Sequence, residues 1–535
     1  MKRLLVERNR YFDSIFLMRI SRDLEQLPGV KRATIAMGTP ANLGNLKAAG
    51  FALDVSAEPV LPHDLVIAIE GASEDAIAEA NDHLGLLLSG STLEGESAER
   101  GPRPSTLAEA HQIDPDINLA LISVPGAYAA REALQALRCG LHVMLFSDNV
   151  SIADELALKE EAVDCGLLMM GPDCGTAILN GAPLGFANVV RRGSIGIVGA
   201  SGTGIQEISS LVHQLGGGIS QAIGTGGRDL SADVQARMTR FGIELLSEDP
   251  ATNVAVVVSK APAPEVDDRV VEALHASGMP CIVHFVAGGP RAPEGDVSFA
   301  ETLAEAATLA CTAAGIDTPV GTTSPTALSV PAETLREIDT RRGSPTGVSA
   351  PAETPTDKPA FGRIVGLFSG GTLAQEAWDV LRRAGLDVHS NVAADRAWKV
   401  AARESVNGHA IWDLGDDAFT VGRPHPMIAP SLRDGEVLSN GKDPTVGVIL
   451  VDCVLGFGAH DDPAGSLAAA AREALVAAED GGRTLHIVAS VTGTDDDPQI
   501  RSRQVETLIE VGVRVAPSNA AAARWAVDAL RGGKG

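Results

Sequence analysis

The feature that most restricts the fold of this chain is a repeated strand, glycine turn and helix. Ile195 to Glu207 reads IGIVGASGTGIQE, and Ile364 to Glu376 reads IVGLFSGGTLAQE, so both carry an apolar strand, a turn and the pattern GTxxQE. Each continues as an amphipathic helical pattern. Each is then followed by a second strand that runs into a polar turn, Ile223 to Asp229 in the first copy and Trp412 to Asp417 in the second. Strands that alternate with helix-period segments close into parallel sheets covered by helices. A duplicated α/β domain accounts for both copies.

With 535 residues the chain exceeds one ordinary core, so several packed units are expected. Aromatic residues make up only 3% against 45% hydrophobic in total, so the cores must be built from Ala, Val, Leu and Ile. Residues 1–100 read as a small ferredoxin-like α/β domain, with strands near Leu4–Glu7, Val30–Met37 and Leu65–Ile69 and a helix over Phe12–Leu27. Residues 101–190 alternate strands at Leu119–Val124, Val143–Phe146 and Gly166–Met170 with helical segments, a Rossmann-like order. Residues 191–315 and 361–535 hold the two repeated units. Between them, 316–360 is rich in Pro, Thr, Ser and Gly and reads as a linker.

A net charge of -26 opposes affinity for nucleic acid or for anionic membranes, both of which require clustered Lys and Arg. The six cysteines, at 139, 165, 174, 281, 311 and 453, form no CxxC pair and no zinc spacing, which implies a reducing cytoplasm and no structural metal. No run of eighteen apolar residues and no signal-like start occur, so neither secretion nor a membrane span is expected. Cys174, in GPDCG, has no evident base to activate it and reads as a packing residue.

A glycine turn between a strand and a helix brings backbone N–H groups and the helix dipole to one place, which favours an anion. Ser201, Gly202, Thr203 and Gly204 in the first turn, and Gly370, Gly371 and Thr372 in the second, are the candidate phosphate-binding residues. Thr203 with Gln206 and Thr372 with Gln375 equally fit capping boxes that only satisfy helix-start donors. The first turn also resembles a dinucleotide loop, yet the strand after it ends in Gly224-Thr225-Gly226-Gly227, without the acid that would hold a ribose. Arg228, Arg423 and His425 are candidates for carboxylate recognition and proton transfer. Asp413, Asp416 and Asp417 crowd a strand end beside them in sequence; the last two equally suit a helix cap.

Taken together, these segments resemble the FdrA proteins. The resemblance runs through MGTPAN (Met37–Asn42), FSDN (Phe146–Asn149), GPDCGT (Gly171–Thr176), Gly199–Glu207, GGRDLS (Gly226–Ser231), DLGDD (Asp413–Asp417), TVGRPHPMI (Thr420–Ile428) and VTGT (Val491–Thr494). FdrA proteins are in turn similar to succinyl-CoA synthetase, the middle of the chain to its α subunit and the last domain to the carboxyl-terminal domain of its β subunit. The resemblance implies an α/β fold with a CoA-binding-like Rossmann-like unit and two ligase-like flavodoxin-like domains. It adds Asn149 to the substrate-binding set.

The same resemblance implies a subunit of an oxamate carbamoyltransferase, which converts oxalurate and phosphate into oxamate and carbamoyl phosphate in allantoin degradation. Partner subunits and an oligomer come with it, and no cofactor is required beyond phosphate or carbamoyl phosphate. The alternatives are an acyl-CoA synthetase, which uses CoA and ATP, and a noncatalytic anion-binding scaffold. Where the synthetases carry a phosphorylated histidine, Gly288–Phe299 here has none, and no ATP-grasp unit is visible. The expected geometry is that the Gly202–Gly204 and Gly370–Thr372 turns face each other around one phosphate.

Overall fold

A computed structural model describes residues 1–10, 12, 14–51, 59–90, 104–317, 362–402, 404–420 and 424–531. The expected linker lies outside these residues from position 318 onward, as does Arg423. The chain divides into two compact units, Met1–Cys174 with Asp417–Ala429, and Gly175–Asp416 with Pro430–Gly535. Both are mixed α/β.

In the first unit, strands Lys2–Glu7, Leu65–Gly71 and Val30–Met37 form an antiparallel sheet in that spatial order. The alternation of a half-buried strand sorts its side chains onto two faces. Ile67 and Ile69 meet Leu17, Leu24, Leu84 and Leu88 of the helices Ser14–Glu25 and Glu74–Gly90. Val66 and Ala68 point the other way, onto Leu46 and Phe51. A second, parallel sheet joins Leu119–Ile122, His142–Leu145 and Met169–Met170, with crossover helices Gly126–Arg138 and Ile152–Asp164.

The second unit contains the repeat as two sheets of one design. In each, the strand before the glycine turn, Arg192–Gly199 or Arg363–Phe368, lies inside the sheet. On one side follow Val254–Lys260, Cys281–Val286 and Val297–Phe299 in the first sheet, and Val446–Val454, His486–Thr492 and Arg514–Ala516 in the second. On the other side lie Ile219–Gly224 and His409–Asp413 respectively, and all these pairings are parallel. The first sheet is extended by the antiparallel hairpin Thr176–Leu179 and Ala182–Gly185, the second by Val388–Ser390.

The glutamates that end the GTxxQE motifs join the halves reciprocally. Glu207, from the first half, accepts the Asn519 amide at 3.1 Å and the Thr492 hydroxyl, both from the second half. Glu376, from the second half, accepts the Leu303 amide at the start of the helix Leu303–Ala313 in the first half, at 2.7 Å, and the Asn519 side-chain amide at 2.7 Å. Both carboxyls are buried. Desolvation pushes Glu376 up to about 7 and raises Glu207 as well, each against the hydrogen bonds that favour the charged form.

Candidate functional site

The two glycine turns meet head to head. Ser201 Oγ and Thr372 Oγ1 are 2.6 Å apart, and the methyl of Thr203 packs so closely on Gly370 that a Cβ there would stand 2.7 Å from it. Helix Gly202–Gln214 and helix Gly371–Arg383 therefore begin at one point. Each N-terminus carries roughly half a positive elementary charge, so the junction calls for negative charge.

The caps differ from the sequence expectation. Thr203 and Thr372 lie inside the first turns of their helices and cap nothing; the first cap is Ser201, whose Oγ accepts the Gly204 amide at 3.0 Å. In the second turn the cap position is Gly370, which has no side chain to offer, and a strand residue takes over. Asp452, on Val446–Val454, accepts the Ser369 amide at 2.7 Å through one carboxylate oxygen and the Gly370 amide at 2.8 Å through the other. Behind it the buried Arg433 donates to the Asp452 carbonyl at 3.1 Å and to the Asp434 carboxylate at 3.0 Å.

Two of the anticipated anion donors are thus already committed, Gly204 to Ser201 and Gly370 to Asp452. Among the described residues no acceptor is placed for the amides of Gly202, Thr203, Gly371 or Thr372. Gly371 is flanked by Asp413, whose Oδ2 would lie 2.6 Å from a Cβ at that glycine. Burial pushes the Asp413 carboxyl up to about 7, assisted by Asp416 and Asp452 and opposed by the Gly415 amide and the charge of Lys260. Near neutral pH Asp413 therefore exchanges a proton beside the second turn.

Two residues at this junction carry no signal in a single sequence. Asp452 sits in the run VGVILVDCV and Lys260 closes VAVVVSK. Lys260 acts on Asp413 through its charge, and strand register brings Asp452 to the second turn: Val257 pairs with Val198, and Val451 pairs with Leu367, the corresponding position of the second copy. The next residue on each strand is Val258 in the first half and Asp452 in the second. Equivalent turns thus rest on a valine and on a carboxylate.

The remaining candidates are divided between the two units. Arg228 is exposed in the turn that follows Ile219–Gly224, while its neighbour Asp229 is fully buried and caps the helix Arg237–Glu248 through the Met238 and Thr239 amides. Asp416 is half-buried in the second unit, where its charge acts on Asp413. Asp417 opens the short helix Asp417–Thr420, and it belongs to the first unit with Asn149 and His425. Asn149 is exposed at φ 55°. His425 accepts the Met427 amide on Nδ1 at 3.2 Å, and burial pushes its imidazole down to about 4, so it is neutral near pH 7. His284, the histidine nearest the 288–299 loop in sequence, is buried in Cys281–Val286 with Nδ1 on the Ala300 carbonyl, and burial pushes it down to about 4. No helix among the described residues is long and apolar enough to cross a membrane.

Three families match parts of the chain. The AllF heavy metal-associated domain matches residues 1–103, the CoA binding domain residues 190–288, and CoA-ligase residues 367–529. The metal in the first description finds no fitting donors: residues 1–103 contain no cysteine, and among the described residues no three His, Cys, Asp or Glu side chains gather to hold an ion. The uncharacterized protein YahF of Escherichia coli K12 is 42% identical over 521 residues, which cover 97% of this chain and 96% of YahF. The ADP-forming sulfoacetate-CoA ligase subunit SauD of Bilophila wadsworthia is 24% identical over 191 residues, covering 34% of this chain and 63% of that subunit. A solved acetyl-coenzyme A synthetase of Ca. Korarchaeum cryptofilum, in complex with phosphate and ADP, aligns with 86% of this chain and 93% of its own at 15% identity and a TM-score of 0.30.

Proposed function

The chain belongs to the family of Escherichia coli YahF, and we propose that it is a subunit of an acyl-transferring enzyme whose paired turns hold the phosphate of an acyl phosphate. The observation that supports this reading is the first turn. Its Gly202 and Thr203 amides point from a helix start with no acceptor among the described residues, and Val258 leaves uncharged the strand position that Asp452 fills in the other half. Backbone donors at a helix start suit a phosphate group, and in so acidic a chain they supply positive potential without a lysine cluster.

In the carbamoyl version of the proposal, a phosphate oxygen attacks the carbamoyl carbon of oxalurate. The bond from that carbon to the oxamate nitrogen breaks, and the nitrogen leaves with a proton as the oxamate amide. Carbamoyl phosphate is the other product. Asp413, at about 7 and beside the second turn, is better poised to supply that proton than His425, which is uncharged near pH 7. Arg228 or Arg423 is the proposed partner of the oxamate carboxylate. The absence of histidine from Gly288–Phe299, and the enclosure of His284 in a strand, support direct attack without a phosphoenzyme.

The matches to the CoA binding domain and CoA-ligase families, and the likeness to a sulfoacetate-CoA ligase subunit, support a second version more directly: an acyl-CoA synthetase in which the CoA thiol takes the place of the oxamate nitrogen. One set of assays on the chain, alone and with co-expressed partner subunits, separates the versions. Carbamoyl phosphate formed from oxalurate and phosphate supports the first. Acyl-CoA, ADP and phosphate formed from a carboxylic acid, CoA and ATP, with oxalurate untouched, support the second. Phosphate binding with neither activity reduces the chain to an anion-binding scaffold.

A further inference from the structure

The antiparallel sheet of the first unit has two edges, and they are built differently. A ferredoxin-like β-α-β-β-α-β order supplies four strands. Here Lys2–Glu7, Leu65–Gly71 and Val30–Met37 form a sheet of three, and the sequence of 91–103, STLEGESAERGPR, has no alternating apolar run of the kind that marks a strand. The edge strand Val30–Met37 is guarded: its register slips between Val30 and Arg32, and Lys31 and Arg32 stand at the slip. Bulges and basic side chains are devices that keep an edge from pairing. The other edge strand, Lys2–Glu7, keeps an unbroken register along Leu65–Gly71 and carries half-buried Leu4, Leu5 and Val6 at its centre. The pairing on its inner side fixes which groups face out. Met1 and Gly71 exchange both main-chain hydrogen bonds, Met1 N to Gly71 O at 2.6 Å and Gly71 N to Met1 O at 2.9 Å. Bonded pairs alternate with unbonded ones in an antiparallel ladder, so Arg3, Leu5 and Glu7 bond to the inner strand. Lys2, Leu4 and Val6 turn their N–H and C=O groups to the open side, where none has a partner among the described residues.

We propose that Lys2–Glu7 pairs antiparallel with the same strand of a second copy, joining two sheets of three strands into one across a twofold axis. Such a pair keeps the faces of the two sheets in common, so residues of like parity stand opposite and outward groups meet outward groups. Two registers satisfy this, and charge selects between them. In one, Lys2 faces Val6 and Arg3 faces Leu5, so neither cation meets an acid. In the other, Arg3 of each copy faces Glu7 of its counterpart, Leu4 exchanges main-chain bonds with Val6, and the two Leu5 side chains meet on the axis. Arg3 is exposed, and Glu7 keeps 39% of its side-chain surface despite Arg10 beside it. The next pair out, Lys2 with Arg8, is neutralised within each copy by Glu70 at 3.6 Å and Asp64 at 2.7 Å. Leu5 packs on the cluster of Leu17 and Ile67, and Leu4 and Val6 on that of Leu46 and Phe51, so the joint sheet extends both cores. This interface does not rest on the phosphate reading above.

Sedimentation velocity of the full chain over a concentration series reads the association, and hydrogen exchange of a peptide covering Lys2–Glu7 reads the edge itself. The wild type is expected to self-associate, with exchange of that peptide slowing as concentration rises. Leu4→Pro removes an outward N–H and sets a ring on the edge, a change that an edge strand tolerates. It is expected to keep the wild-type circular dichroism and to lose this association. Arg3→Glu places two like-charge pairs across the axis and is expected to weaken the association by about tenfold. Arg3→Glu combined with Glu7→Arg is expected to restore it. Should Leu4→Pro fail to fold, the two charge variants carry the test. An association that a folded Leu4→Pro protein retains overturns the inference, as does a Lys2–Glu7 peptide that exchanges at one rate at every concentration. Protection that arises only when a partner subunit is added also overturns it, and assigns the edge to that subunit. A loss on Arg3→Glu that the double variant does not reverse overturns the register.

Discussion

The two halves of the second unit share a strand order, a glycine turn and a buried glutamate, and they part company at single side chains around the turn. Glu207 and Glu376 do the same work in mirror fashion: each leaves its own half and binds the beginning of the other half's last helix. Around the turns, symmetry ends. The first has a hydroxyl cap, Ser201, with Val258 beneath and Lys260 at the strand end; the second has no side-chain cap, with Asp452 beneath and Asp413 alongside. Duplication has therefore kept the residues that hold the halves together and let the electrostatics of the turns diverge.

The largest effect that tests this comparison belongs to the shared part. Glu376→Ala leaves the Leu303 amide and the Asn519 side chain without their acceptor, and Glu207→Ala does the same to the Asn519 backbone amide and Thr492. Each change is expected to lower stability by about 4 kcal/mol in denaturant unfolding, at roughly one to three per buried group left unpaired. Because both glutamates bind Asn519, the double variant should lose less than the sum. A small effect from one glutamate and a large one from the other would break the equivalence of the halves.

A pH profile comes next in size. Glu376 titrates at about 7 in the fold against an ordinary 4.5, so between those values the native state keeps a proton that the unfolded chain has released. Stability therefore falls as pH rises from about 4.5 to 7 and levels off above, by an amount of order ~3 kcal/mol. Asp413, also raised to about 7, adds to the same slope from its lower starting value of 3.8. Glu376→Gln should flatten the profile; an unaltered slope would mean that the buried carboxyl is charged throughout.

The smallest effect separates the caps. Ser201→Ala removes a hydroxyl that caps the Gly202–Gln214 helix and touches Thr372, and should lower stability by about 1 kcal/mol. Thr203→Ala, which removes no cap, should lower it by less than half as much. The reverse ranking would restore the capping box read from the sequence.

The duplication and its two glycine turns are legible in the sequence because glycine patterns and strand periodicity are local properties. The partners of the turns are not local. Asp452 is one acid in a nine-residue buried strand, and only the register between strands distant in sequence brings it to the second turn; Lys260, one cation after six buried residues, acts there through its charge on Asp413. The capping box misleads for a similar reason. A Thr three residues before Gln suggests a helix that starts later than it does, because Ser201 and Gly370 already occupy the cap positions. His425 reads as a proton carrier because histidine usually titrates near neutrality, and burial, which no motif records, moves it away.

Calorimetric titration of inorganic phosphate into the wild-type chain and into Gly202→Val puts the open first turn to the sharpest test. Gly202 does not have a positive φ, so a side chain there is not strained by the backbone; it crowds Thr176, whose Oγ1 would lie 3.0 Å from a Cβ, and obstructs approach to the open amides. The expected result is one phosphate per wild-type chain and at least a roughly tenfold loss of affinity, equivalent to about 1.4 kcal/mol, in a Gly202→Val protein that circular dichroism shows to be folded. Wild-type affinity in the folded variant would contradict the phosphate site, and would leave the first turn as a helix start with no ligand of its own.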